Sequence, residues 1–141
     1  MTRIAIFASG SGSNAENIIR YFSDSKIVKV VLVLSNNSHS RVLIRAQFYN
    51  IPTCVITKND LNKCSNVLDI LKDYNASMIV LAGFLLKIPL CMIKEYPNSI
   101  LNIHPALLPK YGGKGMYGMN VHKAVVENKE EKSGITIHYV N

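Results

Sequence analysis

The chain has 141 residues, 48% of them hydrophobic, enough for one compact core and too short for two ordinary domains. Its formal charge of +7 suits an anionic ligand, but the basic residues are scattered, with no dense run and no interleaved aromatics, so small phosphorylated or carboxylated substrates are expected and no nucleic acid. No apolar stretch approaches the ~20 residues of a membrane helix, and Met1-Thr2-Arg3-Ile4-Ala5 runs straight into a strand pattern without a cleavable signal, so no membrane partner and a cytoplasmic location are expected.

In chain order, Arg3 to Ala8 is a compact apolar run that reads as a buried strand. The stretch Ser9-Gly10-Ser11-Gly12-Ser13-Asn14-Ala15-Glu16 follows, then Ile18, Ile19 and Phe22 at helical spacing. Ser13 and Glu16 stand three apart, as a capping box requires, so the Gly/Ser loop opens onto a helix N-terminus. Glycines let the backbone come close to a ligand, and uncapped amides with the helix dipole favour an anion, phosphate above all. The same residues satisfy the G-x-G-x-x-G/A dinucleotide pattern, but the next strand, Val28 to Leu34, ends in Ser35-Asn36-Asn37-Ser38 with no acidic residue for a ribose. Arg41 leaves a non-catalytic nucleotide- or NADP-binding module open, and a glycine turn that only packs strand against helix is a third reading.

Arg41 to Tyr49 reads as a partly buried helix carrying Val42, Ile44, Ala46 and Phe48, ended by Ile51-Pro52. Thr53 to Ile56 is a short strand, and Asp60 to Tyr74 a longer amphipathic helix with Leu61, Val67, Leu68 and Leu71 toward the core. Ser77 to Ala82 is a strongly apolar strand stopped by Gly83. This alternation predicts an α/β fold, a Rossmann-like, mostly parallel sheet with helices on both faces, whose ligands lie at the carboxyl ends of the strands. The loop Gly83-Phe84-Leu85-Leu86-Lys87-Ile88-Pro89 is at that edge, either a packing turn or a wall that receives a flat ring. Cys54, Cys64 and Cys91 show no CxxC or Cys/His spacing for zinc or a disulfide framework and read as reduced structural thiols.

Cys91 to Glu95 reads as a short helix and Ser99 to Ile103 as a strand running into Asn102-Ile103-His104-Pro105. Residues i and i+2 of a strand share a face, and Pro105 forbids a regular continuation. A carboxamide beside an imidazole can hold an oxyanion and relay a proton, although a histidine at a strand end is also compatible with a structural role. Lys110 to Asn120, with Gly112, Gly113, Gly115 and Gly118, reads as a surface loop, Val121 to Glu127 as a helix and Gly134 to Val140 as a strand. His122 is read as lying on a helix surface and His138 as packing at a strand end.

Gly10-Ser11-Gly12-Ser13-Asn14, Ala82-Gly83-Phe84, and Asn102-Ile103-His104-Pro105 with Leu107-Leu108-Pro109 together resemble the phosphoribosylglycinamide formyltransferases, a family of folate-dependent enzymes of purine synthesis, over essentially the whole chain. The resemblance implies the formyltransferase fold and formyl transfer from the cosubstrate 10-formyltetrahydrofolate to the amine of 5'-phosphoribosylglycinamide, with no metal. It implies Gly12, Ser13 and Asn14 at the substrate phosphate, Leu85, Leu86, Lys87, Ile88 and Asn102 at the folate, and Asn102 and His104 as the catalytic pair. The Asn-x-His-Pro stretch is shared with other formyltetrahydrofolate users, so a hydrolase is an alternative.

This chain departs from the family pattern at three places. Leu86 stands where an arginine is usual, and Asp60 where a basic residue is, with Lys58 the nearest substitute. The family's catalytic aspartate belongs to a pattern running through Gly134, Thr136, His138 and Tyr139 and falls just beyond Asn141. Residues 1–141 therefore read as a single formyltransferase domain, C-terminally truncated relative to the family, with little or no transformylase activity alone.

Overall fold

The computed structural model describes residues 1–104 and 136–141. Five parallel strands, β1 (Thr2–Phe7), β2 (Val28–Ser35), β3 (Thr53–Val55), β4 (Met78–Ala82) and β5 (Ile100–His104), are closed at one edge by antiparallel β6 (Thr136–Tyr139). The sheet order is β3-β2-β1-β4-β5-β6. The chain thus winds outward from β1 in one direction, then returns to place β4 on the other side of β1. That reversal makes a crevice between the carboxyl ends of β1 and β4.

Period-two alternation divides the core between the two faces of the sheet. Ile4, Ile6 and Ala8 of β1 and its end, with Val80 and Ala82 of β4, pack with Ala15 and Ile19 of α1 (Ser13–Tyr21) and Val42, Leu43 and Ala46 of α2 (Arg41–Phe48). On the other face Ala5, Phe7, Ile79, Leu81 and Ile100 meet Leu61 of α3 (Lys58–Lys63), Val67 and Leu71 of α4 (Ser65–Asp73) and Met92 of α5 (Leu90–Glu95). Such continuous apolar strands are what a sheet covered on both faces requires. Phe7 is fully buried, and a side chain of this size is stabilised by about 2 to 3 kcal/mol on leaving water.

Several local expectations are corrected. Ile44 and Phe48 are 67% and 79% exposed, because the stripe of α2 that meets the sheet is Val42, Leu43 and Ala46. The single helix expected over 60–74 is two, broken at Cys64, whose φ of 61° is left-handed and cannot continue a helix. Cys64 is also not a free thiol: it is disulfide-bonded to Cys91, with Cα atoms 6.4 Å apart, joining the start of α4 to the first turn of α5. Cys54 remains free, and burial pushes its thiol pKa up, which keeps it protonated and unreactive near neutrality. The expected Lys110–Asn120 loop, the Val121–Glu127 helix, His122 and Pro105 to Pro109 lie outside the described residues.

Candidate active site

The stretch from Ser9 to Gly12 leaves β1 at the crevice and turns into α1 through Gly12, which has φ +77°. A Cβ on Gly12 would lie 2.5 Å from Val42 Cβ, so the glycine is required for the close approach of the loop to α2. Around Gly10 an added Cβ meets nothing within 4 Å. The packing reading of the glycine turn therefore holds at Gly12, and Gly10 leaves an open flank where a ligand can approach. The capping box expected from Ser13 and Glu16 is corrected: Gly12 is the N-cap, with no side-chain cap. A capping box does form at α3, where Thr57 and Asp60 bond each other's backbone amides, and that backbone bond is the main cause of a lowered Asp60 pKa. The Asp60 carboxylate is thus committed to its own helix, and Lys58 is exposed in the first turn.

Three carbonyls of the loop are engaged. Gly10 O accepts from Val42 N–H at 3.2 Å, Ser11 O from Arg45 Nε–H at 2.6 Å and Gly12 O from Glu16 N–H at 2.8 Å. Among the described residues no acceptor takes the amides of Gly12, Ser13 and Asn14. Unpartnered amides at a helix N-terminus, beside carbonyls already engaged elsewhere, are the kind of donors that suit an anion.

The Glu16 carboxylate would oppose an anion there, but Arg45 neutralises it through an ion pair and Tyr49 donates its hydroxyl to the other oxygen at 3.2 Å. The Arg45 hydrogen bond is the chief cause of a lowered Glu16 pKa, while burial, ahead of the Glu16 contact, raises that of Tyr49.

On the other side of the crevice, Gly83 has φ +71° and begins the apolar loop. Phe84 anchors it by packing edge-on to Phe7, ring centroids 5.3 Å apart. Ile88 is buried in the core and Leu86 packs against it, whereas Leu85 is 52% exposed and Lys87 is exposed. Leu85 and Lys87 are thus the side chains of this loop open to a ligand, with Leu86 half-buried and Ile88 serving as the loop's root.

Asn102 lies in β5, paired with Leu81 of β4 and with His138 of β6. Its Nδ2 is 3.1 Å from His138 Nε2, and His138 Nδ1 is 3.2 Å from Tyr139 O. A carbonyl accepts only, so Nδ1 carries the ring proton, Nε2 is the acceptor and the Asn102 amide donates one hydrogen to it. Among the described residues the second hydrogen of that amide has no acceptor. His138, expected only to pack at a strand end, instead orients Asn102. The backbone of His104 ends β5 and pairs with Thr136. Among the described residues no group of three His, Cys, Asp or Glu side chains could hold a metal ion, and no helix is long and apolar enough to cross a membrane.

A mostly parallel sheet with its crevice at the strand reversal, a glycine loop on one side and a second loop on the other, defines the doubly wound α/β class. Within that class the chain belongs to the formyl transferase family, whose profile matches residues 2–141. It is 41% identical over 145 residues to the chloroplastic phosphoribosylglycinamide formyltransferase of Arabidopsis thaliana, covering 99% of this chain and 50% of that protein. A crystal structure of phosphoribosylglycinamide formyltransferase from Anaplasma phagocytophilum superposes with a TM-score of 0.86 at 32% identity, covering 99% of this chain and 64% of that one. Glycinamide ribonucleotide transformylase 1 from Geobacillus kaustophilus gives 0.86 and 32%, covering 100% of this chain and 75% of that one. The chain spans about half the length of the Arabidopsis relative.

Proposed function

We propose that this chain carries the substrate-binding half of an enzyme that transfers a formyl group from 10-formyltetrahydrofolate to the primary amine of 5'-phosphoribosylglycinamide in purine synthesis. What supports the reading is that amides without an acceptor among the described residues at Gly12, Ser13 and Asn14, an apolar loop at Leu85 to Ile88, and a carboxamide at Asn102 with one hydrogen unpartnered among those residues lie on neighbouring strands β1, β4 and β5 or the loops that follow them. The loop amides take the ribonucleotide phosphate, and the apolar loop takes the pterin.

In the reaction the amine nitrogen attacks the formyl carbon and the carbonyl pair moves onto oxygen. Asn102 donates its second hydrogen to that oxygen, and removing one such donor costs about 100- to 1000-fold in rate. The C–N10 bond then breaks, N10 of the folate takes a proton, and the proton lost by the amine passes through His104, an imidazole being able both to accept and to release it. The proposed compartment is the cytoplasm, and fractionation checks it.

The test is a single-turnover assay with protein in excess over 10-formyltetrahydrofolate, so that slow chemistry is still read. Formyl loss that requires 5'-phosphoribosylglycinamide and falls about 100- to 1000-fold in Asn102→Ala is expected. Formyl loss indifferent to the acceptor favours a hydrolase and overturns the proposal.

A further inference from the structure

Ser9 is 7% exposed, opens the Gly/Ser loop, and is hydrogen-bonded to the loop that begins at Gly83. Its N–H donates to Gly83 O at 3.1 Å, and its Oγ accepts from the Leu85 amide at 2.9 Å. The hydroxyl hydrogen goes to Asn36 Oδ1, 2.5 Å away at the end of β2. A hydroxyl has one hydrogen and two lone pairs. Asn36 Oδ1 can only accept, so it fixes the hydroxyl's rotation and directs a lone pair at Leu85.

We propose that Ser9 is a positioning residue that couples the two substrate loops, holding the Leu85 amide in register with the Gly/Ser turn so that filling the turn with a phosphoryl group orders the apolar wall. The inference rests on the phosphate and folate assignments above and adds to them a link between the sites. Three features of the fold carry it. Gly10, Ser11 and Gly12 are immobilised through their carbonyls by α2 and α1, so a displacement of the turn has little slack before it reaches Ser9. The reversal of strand order sets β1 beside β4, which makes Ser9 and Gly83 backbone neighbours although they are far apart in sequence. The Leu85 amide, finally, is held by a side chain of the opposite loop and not by its own strand. Coupling of this kind is reciprocal, so a folate analogue must also tighten phosphate binding.

The test is a proton–nitrogen NMR titration with ribose 5-phosphate in a phosphate-free buffer, on the wild-type chain, Ser9→Ala, Ser9→Thr and Asn36→Ala. In wild type the amides of Gly12 to Asn14 shift and Leu85 shifts with the same concentration dependence. In Ser9→Ala the turn still responds while Leu85 falls silent, Ser9→Thr restores the response, and Asn36→Ala weakens it. A Leu85 shift undiminished in Ser9→Ala, or absent in wild type while the turn responds, overturns the coupling. Should Ser9→Ala not fold, the wild-type and Asn36→Ala arms decide, an undiminished Leu85 shift in Asn36→Ala counting against it. A silent turn in wild type is a separate outcome: it overturns the phosphate assignment, and the coupling with it.

Discussion

Gly12 and Gly10 look alike in the sequence and are opposites in the fold. Gly12 combines a left-handed backbone with a close approach to Val42 that leaves no room for a Cβ, so Gly12→Ala should cost about 2 to 4 kcal/mol of unfolding free energy. Gly10→Ala meets open space and should stay within about 0.5 kcal/mol, both read by urea denaturation. At Asn102 the sequence supplied the residue but not its orientation, since the partner His138 is 36 positions away. His138→Ala releases the amide, and formyl transfer should slow about threefold to tenfold, the worth of one net hydrogen bond, with ribonucleotide affinity unchanged. An equal loss in affinity would mean that His138 contacts the ribonucleotide itself.

Among the elements, α2 is tied to the Gly/Ser turn by Arg45, which bonds both Ser11 O and Glu16. The folded-state pKa of Glu16 lies below its ordinary 4.5, so the pair's contribution is whole above pH 4.5 and is lost as pH falls through the lowered folded value. Stability measured from pH 6 downward should show this acid-side loss, and Glu16→Gln should remove its share. The disulfide between Cys64 and Cys91 closes a loop across 27 positions, so Cys91→Ser should lower stability by about 3 to 4 kcal/mol. Thiol titration of the unfolded, unreduced chain should find Cys54 alone. Element types were readable from periodicity, as in β1, β2 and β4, whose apolar runs need cover on both faces. The break at Cys64 was not, because the residues around it keep the helical pattern and only the backbone turn interrupts it. Ser13 and Glu16 matched a capping box, yet a left-handed Gly12 took the cap and Arg45 took the carboxylate, both tertiary effects.

At the scale of the molecule, the order β3-β2-β1-β4-β5-β6 sets the strands that carry the separate sequence motifs, β1, β4 and β5, side by side. Alternating strands and helices made the parallel sheet legible, and the strand-end rule brought the Gly/Ser loop and Asn102 to one edge. The contacts that bind the loops to each other, through Ser9, Asn36 and Leu85, join residues up to 76 positions apart and leave no local pattern to read. The central claim, that this crevice takes a phosphoribosyl amine on one side and a folate on the other, is tested most directly by calorimetric titration of 5'-phosphoribosylglycinamide, alone and with a non-reactive folate analogue. The account predicts saturable binding that is lost when the ligand's phosphate is removed and tightened by the analogue. Binding of NADP with no affinity for either the ribonucleotide or the folate would contradict it.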